Sequence, residues 1–547
     1  MPPIETVDQE QPQVQDRVQD KLQDTKQPVK YTVAAYNEDT ILTGKRLLVV
    51  FIAILMSLLL IALDQTILAT ALPRIASDFG SFSLQGWVAS AFVLSQTVFI
   101  LFFGQVMRIF SAKHMLLINI FIFEAGSLVC ALSANVNQLI AGRTISGASA
   151  AGIYVSMIQI IAQVTRLEDR PRLFGVFGAV FGLSSVIGPL IGGGFTDHVS
   201  WRWCFYVNLP IGGLSFFLVA LLLKSSIPLG ADPSKRSKRD LWNQAKKLDL
   251  VGAVLIAGAC FVFAAATSVS FIAWEIFLRE GAMVPLRIFK SRSIYAIVFY
   301  CFLSRFSFLL FAYYIPIFYQ AVRHQSATAS GVALLPFLLG TVLSVISAGQ
   351  LVGVFGYYWP FCVASPIFLA IGSGLLYTLS PSTSAATLIG FQILCGVGIG
   401  LGLQNSILAI QVEFQDAPAL ISQATSITTF GQFLGGTIGL GVAEPVFASE
   451  LAKNLLKYAP NAPTAIVEES PIAIWTDLPA DLIPGVVLAY CQSLKIAFVV
   501  GVPIAILGLI AALFIKNVKI EKTKIKTPRV DEKATPADTA DPEISQA

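Results

Sequence analysis

The sequence predicts an all-α polytopic membrane protein built from two related six-helix halves, and three observations carry that prediction. Of 547 residues, 55% are hydrophobic and 13% charged, whereas an average soluble domain is roughly 25% charged; mean hydropathy is +0.72. The apolar residues fall into repeated runs of about 20, the length at which a helix crosses a bilayer core. Finally, GQVMRIFS at Gly104–Ser111 returns as GQLVGVFG at Gly349–Gly356, the mark of an internal repeat. A net charge of +4, scattered over loops and tails, gives no basis for a nucleic acid partner. The expected partners are the lipid bilayer and a small-molecule substrate, with no obligate protein partner evident.

The elements are taken in chain order. Residues 1–45 are polar and lack the order of a cleaved signal peptide, so they read as a disordered cytoplasmic tail. Runs at Leu47–Thr70, Gln85–Met107, Met115–Ser133, Gln138–Val164, Leu173–Gly194 and Cys204–Leu223 form a first six-helix bundle, 46–223. The linker that opens 224–293 carries Lys224, Lys235, Arg236, Lys238, Arg239, Lys246 and Lys247, which places it in the cytoplasm by the positive-inside rule. Runs at Ile294–Gln320, Gly331–Val352, Tyr358–Leu379, Ala386–Ile410, Leu420–Val446 and Ser493–Phe514 form a second bundle, 294–515. The longest outside loop, Phe447–Pro484, is acidic, and 516–547 is a lysine-bearing cytoplasmic tail.

The run Val251–Phe277 breaks this count. The two copies of the repeat must face the same side, so an even number of crossings separates them; six exist without this run, which therefore crosses twice or not at all. Two full spans need about 40 residues plus a turn, more than it has. A short hairpin, a tilted non-crossing helix or a truncated segment is expected.

Several chemistries are excluded. The seven cysteines lie singly with no C-x-x-C pair, and His114, His198 and His324 stand apart, so neither a disulfide framework nor a metal site is indicated. No G-x-x-x-x-G-K-[ST] loop is present, which leaves ion coupling as the means of active transport. No cofactor is expected.

Four stretches carry a family resemblance: LDQTILATALPRIASDF (Leu63–Phe79), AGRTISGASAAG (Ala141–Gly152), GLSSVIGPLIGGG (Gly182–Gly194) and WRWCFYVNLPIGG (Trp201–Gly213). In this order they resemble the major facilitator superfamily, in particular the 14-span drug:proton antiporter group and its fungal toxin and secondary-metabolite efflux pumps. The resemblance implies the major facilitator fold, two six-helix bundles around a central cavity, with an extra helix pair between them that is abbreviated here. It implies that Arg143 serves proton coupling and that Gly182, Gly188, Pro189 and Gly192 form an antiporter motif. The loop from Gly104 departs from the family pattern, with Arg108 where an acid is usual and Ser111 where glycine is usual.

Intramembrane charges are costly and tend to serve a mechanism. Asp64 and Arg143 fall at compatible depths and Glu124 lies mid-span, so these three are the proton-coupling candidates; the same groups would also serve simply to fix helix packing. Cavity candidates are the polar residues Gln96, Tyr154, Gln159, Arg305, Gln404 and Asn405 within apolar runs. Arg305, near the midplane, would either hold an anionic group or neutralise a neighbouring acid. The expected function is proton-coupled efflux of a small amphiphilic or hydrophobic compound by alternating access, at the plasma membrane or the vacuole, and no enzyme activity. An importer such as a siderophore carrier, or a non-transporting membrane receptor, is the alternative.

Overall fold

The computed structural model describes residues 41–79, 85–229, 236–246, 248–261, 282–464 and 478–520, with isolated residues between these stretches. The described chain is helical. The first half contributes α1 (Gly44–Phe79), α2 (Gln85–Val106), α3 (Ala112–Ala131), α4 (Val136–Val164), α5 (Arg170–His198) and α6 (Trp203–Leu222). The second contributes α7 (Arg292–Ala321), α8 (Leu335–Phe355), α9 (Trp359–Leu376), α10 (Ala385–Glu413), α11 (Pro418–Tyr458) and α12 (Ile483–Phe514).

Eleven of these helices are long and apolar enough to cross a membrane. They present large apolar side chains to the surroundings: Phe121 is 69% exposed and Leu221 81%. Surfaces of that kind suit lipid rather than water. The helix that falls outside the eleven is α11, whose polar residues Ser422, Gln423, Thr425, Ser426, Thr428 and Thr429 are all buried. Its position is therefore settled by packing inside the protein rather than by hydropathy.

Several boundaries differ from the sequence expectation. At 41 residues, α11 is about 60 Å long, twice the bilayer core, so Phe447–Tyr458 is helix rather than the start of an outside loop. Beyond Tyr458 the chain folds back: Val467 and Ile474 are buried, the Tyr490 hydroxyl donates to Val467 O at 2.5 Å, and Trp475 Nε1 donates to Ala321 O at 3.2 Å. This stretch caps the second bundle because it carries apolar residues that water would not accommodate. The last span begins at Ile483 rather than Ser493. The tail segments are also anchored at their inner ends, with Leu42 N donating to Val164 O at 2.9 Å and Ile520 N to Gly356 O at 2.9 Å. Residues 1–40 and 521–547, the greater part of both expected tails, lie outside the described residues.

The intervening segment starts as a helix over Leu250–Phe261. Residues 262–272 lie outside the described residues. Trp274 Nε1 nevertheless donates to Asp249 Oδ1 at 2.9 Å, so the segment returns to the end of the molecule from which it left. That end, termed the tail end, also holds the linker: Arg236 Nη1 donates to Ile109 O at 2.8 Å and Asp249 N to Gln105 Oε1 at 3.0 Å.

The repeated motif has a structural reason. A side chain at Gly104 would collide with Ser426 of α11, and one at Gly349 would collide with the backbone of Pro171 in α5. Both glycines permit the two halves to touch at the tail end, once through α2 and α11 and once through α8 and α5. Ser422 Oγ donates to Gly104 O at 3.0 Å across the same junction.

Candidate functional site

Two polar sites lie within the helices. The first is inside the first bundle. Arg143 on α4 and Asp64 on α1 are 2% and 1% exposed, and Nη1 reaches Oδ2 at 2.6 Å. Arg143 Nε also donates to Val88 O at 3.2 Å, and the guanidinium lies 4.3 Å from the centre of the Phe92 ring. The second carboxylate oxygen accepts from Asn208 Nδ2 at 2.9 Å, and the same nitrogen lies 3.2 Å from Ser127 Oγ. Side chains of four helices thus gather around one carboxylate. The arrangement compensates a buried ion pair by directed hydrogen bonds, without which desolvation would outweigh the Coulomb attraction.

Asn208 and Ser127 were not singled out by sequence reasoning. Asn208 is an amide inside the apolar run Cys204–Leu223 and within the stretch Trp201–Gly213, and that placement was the signal available. Glu124, on α3, packs against Gly212 of α6, where any side chain would occupy the space of its carboxyl group. Both Glu124 carboxyl oxygens are buried without a hydrogen-bond partner. It stands outside the hydrogen-bonded cluster around Asp64.

The glycine motif on α5 serves two contacts. Gly182 faces Val342 of α8 across the bundle junction, while Gly188 faces Thr66 and the Ile67 backbone of α1 within the first bundle. Thr66 Oγ1 donates to Ser184 O at 2.9 Å beside it. Gly192 is buried, and Pro189 lies within the same helix with its side chain outside the described residues. Packing changes along α5. Side chains placed at Gly175, Gly178 or Gly182 would press on α8, whereas at Gly193 and Gly194 they would meet nothing within 4 Å. The bundles are therefore in close contact along the tail-end half of this helix.

The second polar site is a cavity between the bundles, bounded by α1, α4, α5, α7, α8, α10 and α11. Tyr154, Arg305 and Gln404 line it. Gln96, Gln159 and Asn405 do not: Gln96 Oε1 accepts from Gln65 at 3.1 Å, Asn405 Nδ2 donates to Leu401 O at 2.7 Å, and Gln159 is buried on α4. Asn405 thus turns back onto its own helix. The lining also includes Gln432 and the rings of Phe181, Phe308 and Phe433; sequence reasoning singled out none of these, the phenylalanines because apolar residues of this kind are equally common facing lipid. The cavity volume is ≈ 70 Å³, against roughly 300–1,000 Å³ for a typical small-molecule site. It is smaller than such a site.

A two-bundle membrane protein with a cavity at the bundle junction and a buried ion pair in one bundle has the architecture of a transporter of small solutes. The sequence profile of the Major Facilitator Superfamily matches residues 54–440, and the chain belongs to that family. It is 36% identical over 501 residues to the MFS-type transporter astH of Aspergillus oryzae, covering 87% of both chains. It is 35% identical to the MFS-type efflux pump MFS1 of Arthroderma benhamiae, covering 90% of this chain and 95% of that one. It is 34% identical to the aspyridones efflux protein of Neocamarosporium betae, covering 87% and 88%. Among solved structures, the proton:xylose symporter XylE superposes with a TM-score of 0.58 at 13% identity, covering 86% of this chain and 96% of that one. The human organic anion transporter MFSD10 superposes with a TM-score of 0.55 at 14% identity, covering 87% and 100%. The protein is thus a multi-pass membrane transporter and not an enzyme.

Proposed function

We propose that this transporter exports a small amphiphilic or hydrophobic organic compound, of the secondary-metabolite class, in exchange for protons. The observation that carries the proposal is the Asp64 cluster: a carboxylate buried within the first bundle, held by Arg143 and Asn208 and absent from the cavity lining. A carboxylate so placed is a means of taking up and releasing a proton without competing with cargo for the same atoms. Relatives named as efflux pumps support the outward direction.

Alternating access is consistent with the same geometry. The tail end, cytoplasmic by its lysines and arginines, is shut by Gly104 against Ser426, Gly349 against Pro171, and a 3.0 Å hydrogen bond from Arg170 Nη1 to Gln411 Oε1. Shutting this side while the other loosens is the condition for release outward. Neutralising Asp64 would weaken its hold on Arg143 and Asn208, which joins proton uptake to the packing of α1, α4 and α6. The apolar cavity wall favours a hydrophobic or amphiphilic cargo, and the plasma membrane is the location that fits export from the cell.

Reconstituted full-length protein tests this. An imposed pH gradient should drive a fluorescent amphiphilic dye across the membrane, and Asp64→Asn should remove the gradient dependence while leaving the protein inserted. Gradient-driven flux unchanged in that variant would refute the assignment.

A further inference from the structure

The cavity contains a cation that meets no protein anion among the described residues. Arg305 on α7 is half-buried and lines the cavity. Its guanidinium carbon lies 5.5 Å from the centre of the Phe181 ring, 4.9 Å from that of Phe308 and 5.5 Å from that of Phe433. These rings come from α5, α7 and α11, so both bundles contribute. Among the described residues, no carboxylate lies within 4.0 Å of it. The reading in which Arg305 neutralises a neighbouring acid therefore finds no partner within that distance among the described residues.

Aromatic faces attract a cation but offer it no lone pair in the plane of the guanidinium. The five N–H donors of an arginine remain available, and their fork matches the two oxygens of a carboxylate or the oxygen pair of an enolised dicarbonyl. A charge at mid-membrane depth calls for a partner. Gln404, Gln432 and Tyr154 on the same wall are neutral.

We propose that the cargo is an organic anion, an oxyanion carried on an apolar body, and that Arg305 is its recognition residue. The oxyanion takes the guanidinium donors while the apolar body lies among Phe181, Phe308 and Phe433. This deepens the exporter reading and rests on it for direction, but the binding preference is independent of transport. Because the rings span both bundles, the anion also completes a contact across their junction, in the part of the molecule that must rearrange.

The test uses purified full-length protein in lipid nanodiscs without any gradient, with two probes that differ only in charge: 2-naphthoate and 2-naphthamide. The wild type should bind the acid about 10- to 100-fold more tightly, the worth of one charge-assisted hydrogen-bonded contact. Arg305→Gln should bind both probes alike, at the affinity of the wild type for the amide, and Arg305→Lys should keep part of the preference. Equal binding of the two probes by the wild type, binding of neither, or a preference that survives Arg305→Gln would overturn the proposal. The wild-type comparison stands even where a variant folds poorly. Absence of pH-driven dye flux with the charge preference intact would instead count against the exporter reading alone.

Discussion

Asn208 donates to the carboxylate oxygen of Asp64 that Arg143 leaves free, at 2.9 Å. The contact joins α6 to α1, and with Arg143 on α4 it gives both oxygens of a buried acid a partner. The cluster is a unit, and its members should respond to substitution as one.

Removing Arg143 leaves a buried carboxylate short of its main partner. Arg143→Ala should cost about 3–5 kcal/mol, the usual penalty for breaking a buried pair from one side. Asn208→Ala should cost about 1.5–3 kcal/mol as a lost hydrogen bond to a charged group. The double variant Asp64→Asn, Arg143→Gln should be more stable than Arg143→Ala, because neither charge is left alone. Thermal unfolding of the wild type and these three variants in detergent decides this. A double variant no more stable than Arg143→Ala would mean the pair is not coupled.

Closure at the tail end depends on two glycines that meet different obstacles. At Gly104 an added methyl group strikes the Ser426 side chain, while at Gly349 it strikes the Pro171 backbone. Gly349→Ala should therefore perturb closure more than Gly104→Ala, and Ser426→Gly should rescue only the latter. Labelling of a cysteine placed at Ser422, with a reagent applied to the tail side, reads the opening. The reverse order would contradict the packing argument.

On α5, an added methyl group at Gly182 would collide with Val342 of α8. If the glycine exists for close approach, Gly182→Ala should reduce transport severalfold and Val342→Ala should restore it. If the glycine matters for helix bending alone, the second substitution will have no effect on rate. Initial rates of dye flux separate the two cases.

The hydrogen bond from Trp274 to Asp249 requires the segment after Leu250 to return to the tail end. A cysteine at Ala273 in an otherwise cysteine-free protein should react with an impermeant maleimide in inside-out vesicles and stay unlabelled in intact cells. Labelling from the cell exterior would refute that topology.

Legibility differed by feature. The membrane class, the family and most spans were readable because a bilayer imposes a length and a composition on every crossing helix. α11 was mis-bounded at its far end because hydropathy stops at the bilayer surface while a helix does not. The loop after it read as acidic, yet Val467 and Ile474 are covered by the second bundle. Among the polar residues of the spans, sequence reasoning named Arg305 and Gln404 alongside Gln96 and Asn405, which lie off the cavity lining. A residue's depth can be counted along a helix. Its azimuth depends on which neighbours the helix meets.

The sequence by itself determined that this chain crosses the membrane many times, that its halves are related, and that a few charges lie where charge is expensive. Tertiary structure decided what those charges meet. It joined Asp64 to Arg143 and Asn208, left Arg305 among three aromatic rings without an acid among the described residues, and made Gly104 and Gly349 points where the halves touch. The physical reason is range: hydrophobicity acts residue by residue along the chain, whereas ion pairs, ring contacts and close backbone approaches act over a few ångströms between segments far apart in sequence.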